Sequence, residues 1–384
     1  MAYVDSVLSG KRQAGADEIA ACKRFLADLE REDLELHTKE PDFVCAIIER
    51  TMVHRQGEML DGTPLAGKPF LLQPWQIFNI YNLTGFYFRG TQERRYKEGF
   101  IYVPRKNGKT SFIGGLAWAL ALLERRSGAR IYIVAASLKQ AQQAFDFILY
   151  SLRASGMIEG FRVRDNNAEH SIRYEFFNNS GQPDGSIDIE ALAANPDAQD
   201  SFNCNIAIAD EIHAFKKASQ YNRFKEAMKA YTNKLVIGIT TAGDDGTSFC
   251  AQRVEYARKI LNSLVKDDSL FLFLCCADRD KETGEIDFTN PLTHKKANPN
   301  YGVTIRPADI LRDSMEALND PQQRKDFFAK SLNVFTAAIN AYFDIEEFRR
   351  SNTAARSILG FEQYDTVEQK LRKLARLQIK WYGG

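Results

Sequence analysis

The spacing of apolar residues divides this chain into regions of different secondary structure. Apolar positions recur at helical intervals over residues 16–37 and again over residues 42–54, which predicts a helical N-terminal segment across residues 1–60. From residue 61 to about residue 245, short strand-like runs alternate with helical stretches. The strand-like runs cover residues 99–103, 131–135, 206–209 and 235–240. This alternation predicts an α/β fold in which helices flank a mostly parallel central sheet.

Other parts of the chain have different patterns. Residues 172–177 and 186–192 flank the turn-rich stretch 178–185, which predicts an inserted β-hairpin. Beyond residue 245 the spacing becomes mixed. The elements predicted there are a helix over 251–265, a strand over 270–277, helices over 307–332 and a basic amphipathic helix over 366–379.

The composition excludes several classes of function. Lys and Arg number 51 among 384 residues, and Asp and Glu number 50, so the net charge of +1 excludes binding of nucleic acid by a bulk positive field. The longest apolar run, residues 112–123, is interrupted by two glycines and is too short to span a bilayer, so no membrane partner is expected. Six scattered cysteines predict free thiols in a reducing cytoplasm.

Residues 103–111, Val-Pro-Arg-Lys-Asn-Gly-Lys-Thr-Ser, lie between a predicted strand and a predicted helix, which is the setting of a phosphate-binding loop. In such a loop Lys109 reaches the β- and γ-phosphates and the Thr110 hydroxyl holds Mg²⁺. Val103 replaces the usual first glycine, and an Asn-Gly hairpin turn is the alternative. The Ala/Leu-rich stretch that follows is longer than a usual strand and favours the phosphate loop.

Two acidic residues follow the apolar run 206–209. In a nucleotide hydrolase Asp210 would hold Mg²⁺, and Glu211 would be the general base that activates water. Two acids after a strand also commonly cap the N-terminus of a helix. The phosphate loop about a hundred residues upstream favours the catalytic interpretation.

Two weaker signals complete the predicted site. Thr240, Thr241 and Gly243 follow the run 235–240 and would face the γ-phosphate beyond the carboxyl end of that strand, although threonine is also simply a good strand former. Gln76 follows Pro74 and Trp75, and its amide suits the edges of adenine, although the same residues also suit a helix start.

Taken together, these residues resemble the large terminase subunit of tailed double-stranded DNA bacteriophages. The resemblance spans residue 72 to about residue 337, and in this family the missing first glycine is normal. The segments that carry it are Gln76 and residues 104–111, 135–141, 191–194, 201–203, 209–213, 240–243, 296–303 and 327–333.

The resemblance implies a P-loop (ASCE/RecA-like) ATPase fold with ATP and Mg²⁺ as cofactors. The implied divisions are an N-terminal helical segment over 1–60, an ATPase core over 61–245, a small lid subdomain over 246–340 and a linker over 341–384. The implied nucleotide-binding residues are Gln76, Arg105, Lys106, Asn107, Gly108, Lys109, Thr110 and Ser111. Arg105 would also stabilise the γ-phosphate, with a solvated loop charge as the alternative, and Thr240, Thr241 and Gly243 would couple hydrolysis to movement.

The family further implies a motor that packages viral double-stranded DNA, with a portal protein and a small terminase subunit as partners. The motor would be a homo-oligomeric ring, a pentamer on the portal, in the host cytoplasm and transiently docked on the procapsid. An arginine from the neighbouring subunit is expected at each site, and the candidates are Arg162, Arg164, Arg173 and Arg223. The basic residues Arg94, Arg95, Lys97, Lys295 and Lys296 would line a DNA channel, with solvated faces as the alternative.

Full-length large terminases carry a second, RNase H-like nuclease domain that opens soon after a segment like residues 380–384. We therefore expect an ATPase domain without nuclease activity. Two other functions stay open: a helicase-like ATPase, and a DNA-binding or scaffold protein that does not hydrolyse ATP. The set Lys109, Thr110, Asp210 and Glu211 favours an active ATPase over the second.

Overall fold

The computed structural model describes residues 1–167, 169–194 and 202–336, and residues 1–336 form one compact unit. The linker predicted over 341–384 and the helix predicted over 366–379 lie outside the described residues. The helices are α1 (Ala2–Leu8), α2 (Ala16–Leu29), α3 (Lys39–Thr51), α4 (Pro74–Gly85), α5 (Lys109–Glu124), α6 (Leu138–Ala154), α7 (Ser219–Ala227), α8 (Phe249–Leu261), α9 (Pro291–Ala297), α10 (Pro307–Asn319) and α11 (Pro321–Lys330). The strands are β1 (Leu34–Leu36), β2 (Phe86–Phe88), β3 (Glu98–Tyr102), β4 (Ala129–Ala135), β5 (Arg162–Asp165), β6 (His170–Phe177), β7 (Pro183–Ala193), β8 (Ile206–Asp210), β9 (Leu235–Thr240) and β10 (Leu270–Leu274).

A central sheet of eight strands organises the described part of the chain, in the order β10-β3-β9-β8-β4-β7-β6-β5. Neighbouring strands from β10 to β7 are parallel, and β6 and β5 add antiparallel pairs at the far edge. The predicted mostly parallel α/β sheet is thus confirmed. Because β3, β8 and β9 run parallel, their carboxyl ends meet at one edge of the sheet, where ligands bind in such folds.

The predicted hairpin is also confirmed, since β6 and β7 pair antiparallel with Ser171 opposite Glu190. Its turn closes through a hydrogen bond of 2.8 Å from the Asn178 amide to the Gln182 carbonyl. The hairpin does not stand apart from the central sheet, because β7 also pairs in parallel with β4. It therefore widens the sheet on the side away from β10.

Helix α5 follows the phosphate loop and is almost entirely buried, which explains its apolar run. The two glycines that interrupt this run allow close packing on both sides of the helix. A Cβ on Gly114 would lie 2.8 Å from the Ala144 carbonyl oxygen of α6, and one on Gly115 would lie 3.1 Å from Ile48 of α3. The phosphate loop thus leads into a helix that packs closely between α3 and α6.

The N-terminal segment differs at one place from the helical pattern predicted over residues 16–37. Residues 34–36 form β1, which pairs antiparallel with β2, and α2 already ends at Leu29. The side chain of Arg89 holds this turn by donating to the carbonyls of Glu32 and Leu34, at 2.6 and 2.9 Å. Contacts with β2 and Arg89, fifty or more residues away, therefore determine the conformation of residues 34–36, which the local apolar spacing does not predict.

The strand predicted inside the lid belongs to the central sheet. β10 lies within the predicted lid region, residues 246–340, and pairs in parallel with β3. The lid itself stays a prediction. After β10, the chain packs around a small hydrophobic cluster of its own. That cluster consists of Ala277, Ile286, Ala297, Ile310, Ala317, Phe327 and Leu332.

The structure contradicts a DNA-channel role for two of the predicted basic residues. Arg94 and Arg95 are buried, because Arg94 pairs with Glu124 at 2.9 Å and Arg95 pairs with Asp28 and Asp268. Arg95 thereby links α2 to the segment that directly precedes β10. Lys295, by contrast, is exposed.

Two predictions from composition can be compared with the structure. All six cysteines, each within the described residues, are free thiols. A search of the described helices finds none with the length and apolar character that a membrane span requires.

Candidate functional site

A cavity of 1630 Å³ opens at the edge of the sheet where β3 and β8 end. It is larger than the usual range for a single small-molecule site, about 300–1,000 Å³. The predicted residues that line it are Gln76, Arg105, Lys106, Gly108, Lys109, Thr110, Ser111, Asp210 and Glu211. Residues 56–61, Asn300 and residues 302–304 also line the cavity. The structure therefore brings together side chains that are more than a hundred residues apart in sequence.

The phosphate loop leaves the sheet directly after β3. The Val103 amide still bonds to the Thr240 carbonyl of β9 at 3.0 Å, and α5 then starts at Lys109. In between, Lys106 and Gly108 have φ of 62° and 77°, the left-handed conformation. Successive backbone amides in such a turn form a nest for an anion, and the first amides of a helix have no acceptor within it. The loop is therefore built to receive a phosphate.

Lys109 is buried, and its ammonium group donates to the Val103 and Pro104 carbonyls at 3.1 and 2.9 Å. Burial lowers the pKa of Lys109 to about 8, although the nearby Glu211 and Asp210 favour its charged form. The loop's own carbonyls thus hold the cation beside the cavity. A phosphate bound in the loop would compete with these two carbonyls for the Lys109 ammonium group.

Asp210 ends β8 and is buried, and its carboxylate accepts a hydrogen bond of 2.9 Å from the Glu211 amide. Burial, followed by the neighbouring charge of Glu211, raises the pKa of Asp210 to about 7. Glu211 has φ 51° and ψ 49°, a left-handed conformation that costs a non-glycine residue roughly 1–3 kcal/mol. This sharp turn at the strand end directs the chain so that both acids line the cavity.

His213 is a site residue that the sequence analysis did not assign. Its Nδ1 lies 3.0 Å from Oε2 of Glu211 and 3.2 Å from Oγ1 of Thr240. Burial favours the neutral acid of Glu211, but the hydrogen bond from His213 and the charges of Lys109 and Arg105 outweigh it, so the pKa of Glu211 lies below its ordinary value. The signal available in the sequence was the position of His213, two residues after an acid in a tight turn.

The segment after β9 reaches the site through His213. The His213 amide donates to Oγ1 of Thr240 at 3.0 Å, and a Cβ on Gly243 would lie 3.2 Å from Cβ of His213. Thr240 and Thr241 are buried, and the Thr240 hydroxyl lies against the His213 ring. Their predicted place beside the γ-phosphate stays a prediction. The Thr240 hydroxyl therefore contacts both the amide and the ring of His213.

Gln76 and Asn107 have structural contacts besides their predicted role. The side-chain oxygen of Gln76, Oε1, accepts a hydrogen bond of 2.8 Å from the backbone amide of Gln73 in a capping box, so the helix-start interpretation is correct for this oxygen. Its amide nitrogen lies 4.0 Å from the position of a Cβ on Gly108, next to the phosphate loop. Asn107 is buried, and its side chain contacts Asn298 and Asn300, two further residues that the sequence analysis assigned no role in the site.

Three of the four candidates for a neighbour's arginine lie on β5 and β6, at the edge of the sheet. Arg162 is exposed, whereas Arg164 and Arg173 both form ion pairs with Glu169, at 2.7 and 3.1 Å. Arg223 lies on α7. Which of the four acts in a ring stays a prediction.

Comparison with known proteins gives one consistent family. Residues 74–259 match the family described as terminase large subunit, ATPase domain. Protein YmfN of Escherichia coli (strain K12) is 28% identical over 163 residues, which cover 42% of this chain and 35% of YmfN. The crystal structure of the HK97 bacteriophage large terminase has the same fold, with a TM-score of 0.59 at 20% identity, over 77% of this chain and 55% of the HK97 chain. The similarity of this chain to the terminase large subunit ATPase domain family therefore covers residues 74–259.

Proposed function

We propose that this chain hydrolyses ATP in the cavity at the carboxyl ends of β3 and β8, and that it is the motor domain that translocates viral double-stranded DNA into a procapsid. One observation carries the proposal: the phosphate loop at the N-terminus of α5 and the acid pair Asp210 and Glu211 line the same cavity. An anion nest beside two carboxylates has the parts needed to bind and hydrolyse a nucleoside triphosphate. The family match over residues 74–259 supports the same chemistry.

The residues present fit Mg²⁺. Thr110 and Asp210 offer a hydroxyl and a carboxylate to the same cavity, and Mg²⁺ prefers such oxygen ligands while keeping several waters. The buried charge of Asp210, whose pKa is raised, is of the kind that a cation would stabilise. When bound, the ion neutralises charge on the β- and γ-phosphate oxygens.

The loop and Gln76 bind and orient ATP. Backbone amides of residues 106–111 and the Lys109 ammonium hold the phosphates, and Arg105 contacts the γ-phosphate from the exposed side of the loop. The Gln76 amide group, beside Gly108, donates to adenine while its oxygen caps α4. Fixing the triphosphate at both ends aligns the γ-phosphate for in-line attack.

Glu211 takes the proton from the attacking water. Its lowered pKa keeps the carboxylate ionised at neutral pH, and His213 at 3.0 Å fixes its orientation. Loss of the γ-phosphate changes the charge that Glu211 and His213 experience, and His213 passes this change to Thr240, Thr241 and Gly243. The Ala242 amide bonds to Asn333 Oδ1 at 2.7 Å, which extends the route to the end of α11.

The proposal includes the partners that the family implies: double-stranded DNA, a portal protein, a small terminase subunit and further copies of this chain in a ring, a pentamer on the portal. The chain would act in the host cytoplasm while docked on the procapsid. To distinguish the motor from a helicase, phosphate release and strand separation are both measured with double-stranded DNA. The motor predicts that the DNA stimulates phosphate release and that its strands stay paired. Strand separation would favour the helicase, and absence of hydrolysis under all conditions would favour a scaffold.

Nucleotide binding should depend on pH on both sides of neutrality. Because Mg²⁺ binds the carboxylate of Asp210, whose pKa is about 7, affinity for Mg²⁺ and ATP should fall about tenfold from about pH 8 to about pH 6. Lys109, whose pKa is about 8, loses its charge as the pH rises through that value, so affinity should also fall above about pH 8. Titration of a fluorescent, non-hydrolysed ATP analogue across this range measures both arms.

Asp210→Asn is the control for the acidic arm of this profile. It keeps an oxygen that accepts from the Glu211 amide but removes the titrating group. The variant should bind more weakly at neutral pH and lose the decrease toward low pH. A wild-type affinity that stays constant from pH 6 to 8 would contradict the metal role of Asp210.

A further inference from the structure

Three buried asparagines join the phosphate loop to a segment outside the region that the family match covers. Asn107 Nδ2 donates to Asn298 Oδ1 at 2.9 Å, and Asn107 Oδ1 accepts from the Asn300 amide at 2.9 Å. Asn300 Nδ2 in turn donates to the Asn107 carbonyl at 3.0 Å. Residues almost two hundred positions downstream thus form hydrogen bonds with the centre of the loop.

The same segment contacts two other parts of the cavity. Asn300 Oδ1 accepts from the Trp75 indole at 2.8 Å, and Trp75 directly precedes Gln76 on α4. Thr304 donates to the Lys106 carbonyl at 2.6 Å, and Arg306 donates to the carbonyl of Leu60, one of the cavity-lining residues 56–61, also at 2.6 Å. We call residues 298–306 the loop clamp. It connects the phosphate loop, the start of α4 next to Gln76, and residues 56–61 of the cavity lining.

These contacts bear on the conformation of the phosphate loop. Lys106 and Gly108 hold left-handed geometry on either side of Asn107, and amides turn toward an anion only while that geometry lasts. The Asn107 side chain is buried, so loss of its partners would leave polar groups unsatisfied and favour another loop conformation. Asn300 and Thr304 themselves line the cavity, so the clamp holds the loop from within the cavity wall.

We propose that Asn300 is a positioning residue for nucleotide binding, which holds the phosphate loop in its anion-binding conformation and fixes its distance from the Gln76 end of the site. This proposal rests on the proposed function, because it concerns the same nucleotide cavity. Asn300 acts through Asn107 and the loop backbone. It should therefore govern the affinity for nucleotide much more than the rate of the bound complex.

The test compares Asn300→Asp with Asn82→Asp in the full chain. Asn300→Asp keeps the acceptor for Trp75 but removes the donor to the Asn107 carbonyl. Asn82 is an equally buried asparagine on α4 whose Nδ2 donates to the Phe78 carbonyl at 2.8 Å, so Asn82→Asp removes a similar bond away from the loop. Both variants should lose stability, and the comparison isolates the effect on the loop.

Two measurements are made on each protein: hydrogen exchange of the loop amides 104–111 without ligand, and the affinity for a fluorescent, non-hydrolysed ATP analogue with Mg²⁺. For Asn300→Asp we expect loop exchange about tenfold faster and affinity about tenfold weaker, with turnover at saturating ATP within about threefold of wild type. For Asn82→Asp we expect both loop exchange and affinity within about twofold of wild type.

The outcomes separate this proposal from the proposed function. Unchanged loop exchange in Asn300→Asp, or equal loss of affinity in both variants, overturns the positioning role. If wild type binds no nucleotide while loop exchange rises only in Asn300→Asp, the proposed function fails and the positioning of the loop stands. A loss of turnover with unchanged affinity also overturns the proposal.

Discussion

Glu211→Gln is expected to bind ATP about as tightly as wild type while hydrolysis falls by about two to four orders of magnitude. The glutamine keeps the size of the side chain and an oxygen near His213, but it cannot accept the proton of the attacking water. The loop and Asp210, which bind the nucleotide and metal, are unchanged. Phosphate release at saturating ATP measures the loss, and equilibrium titration with a fluorescent ATP analogue measures the binding.

Glu190→Gln is the matched control for this experiment. Glu190 lies on β7, opposite Ser171 of the hairpin, and the same chemical change there should leave turnover close to wild type. The ratio of the two variants separates the loss of a base from a general effect of removing one carboxylate. Near-normal hydrolysis by Glu211→Gln would remove Glu211 from its proposed role.

Lys109→Met should weaken ATP binding by about 10- to 100-fold, the effect of losing a charge-assisted hydrogen bond to phosphate. Methionine approximates the length of the lysine stem, so the packing at the start of α5 is largely kept. Among the described residues the buried ammonium bonds to the Val103 and Pro104 carbonyls, and its removal should leave the fold intact. Circular dichroism checks the fold, and titration with the ATP analogue measures the affinity.

Lys139→Met removes the same charge from an exposed position on α6 and should leave the affinity within about twofold. An equal loss in both variants would mean that net charge, and not the loop lysine, attracts the nucleotide. Unchanged affinity in Lys109→Met would exclude residues 103–111 as the phosphate loop.

Local sequence was sufficient to predict the strands that build the site. The apolar runs that became β3, β4, β8 and β9 are short and fully buried, and such runs are recognisable without their partners. The phosphate loop and the acid pair could be predicted because each motif directly follows one recognisable strand. Because carboxyl ends of parallel strands share an edge, predicting the sheet also predicted that they meet.

Features set by distant partners could not be read in the same way. β1 exists because β2 pairs with it, and Arg95 is buried because Asp28 and Asp268 neutralise it. The loop clamp is a similar case, since nothing near Asn300 in sequence indicates that it bonds to Asn107. Spacing and motif report local preferences, whereas these features depend on contacts between residues far apart in the chain.

The central claim is that the cavity hydrolyses ATP with Mg²⁺, and steady-state phosphate release by the wild-type chain tests it most directly. The assay is run over a range of protein concentrations, with and without double-stranded DNA, because sites shared between subunits become active only when subunits associate. Our account predicts release that requires Mg²⁺, that Glu211→Gln abolishes and that rises per subunit with protein concentration. The absence of release at every concentration while ATP is bound, or equal release by Glu211→Gln, would contradict it.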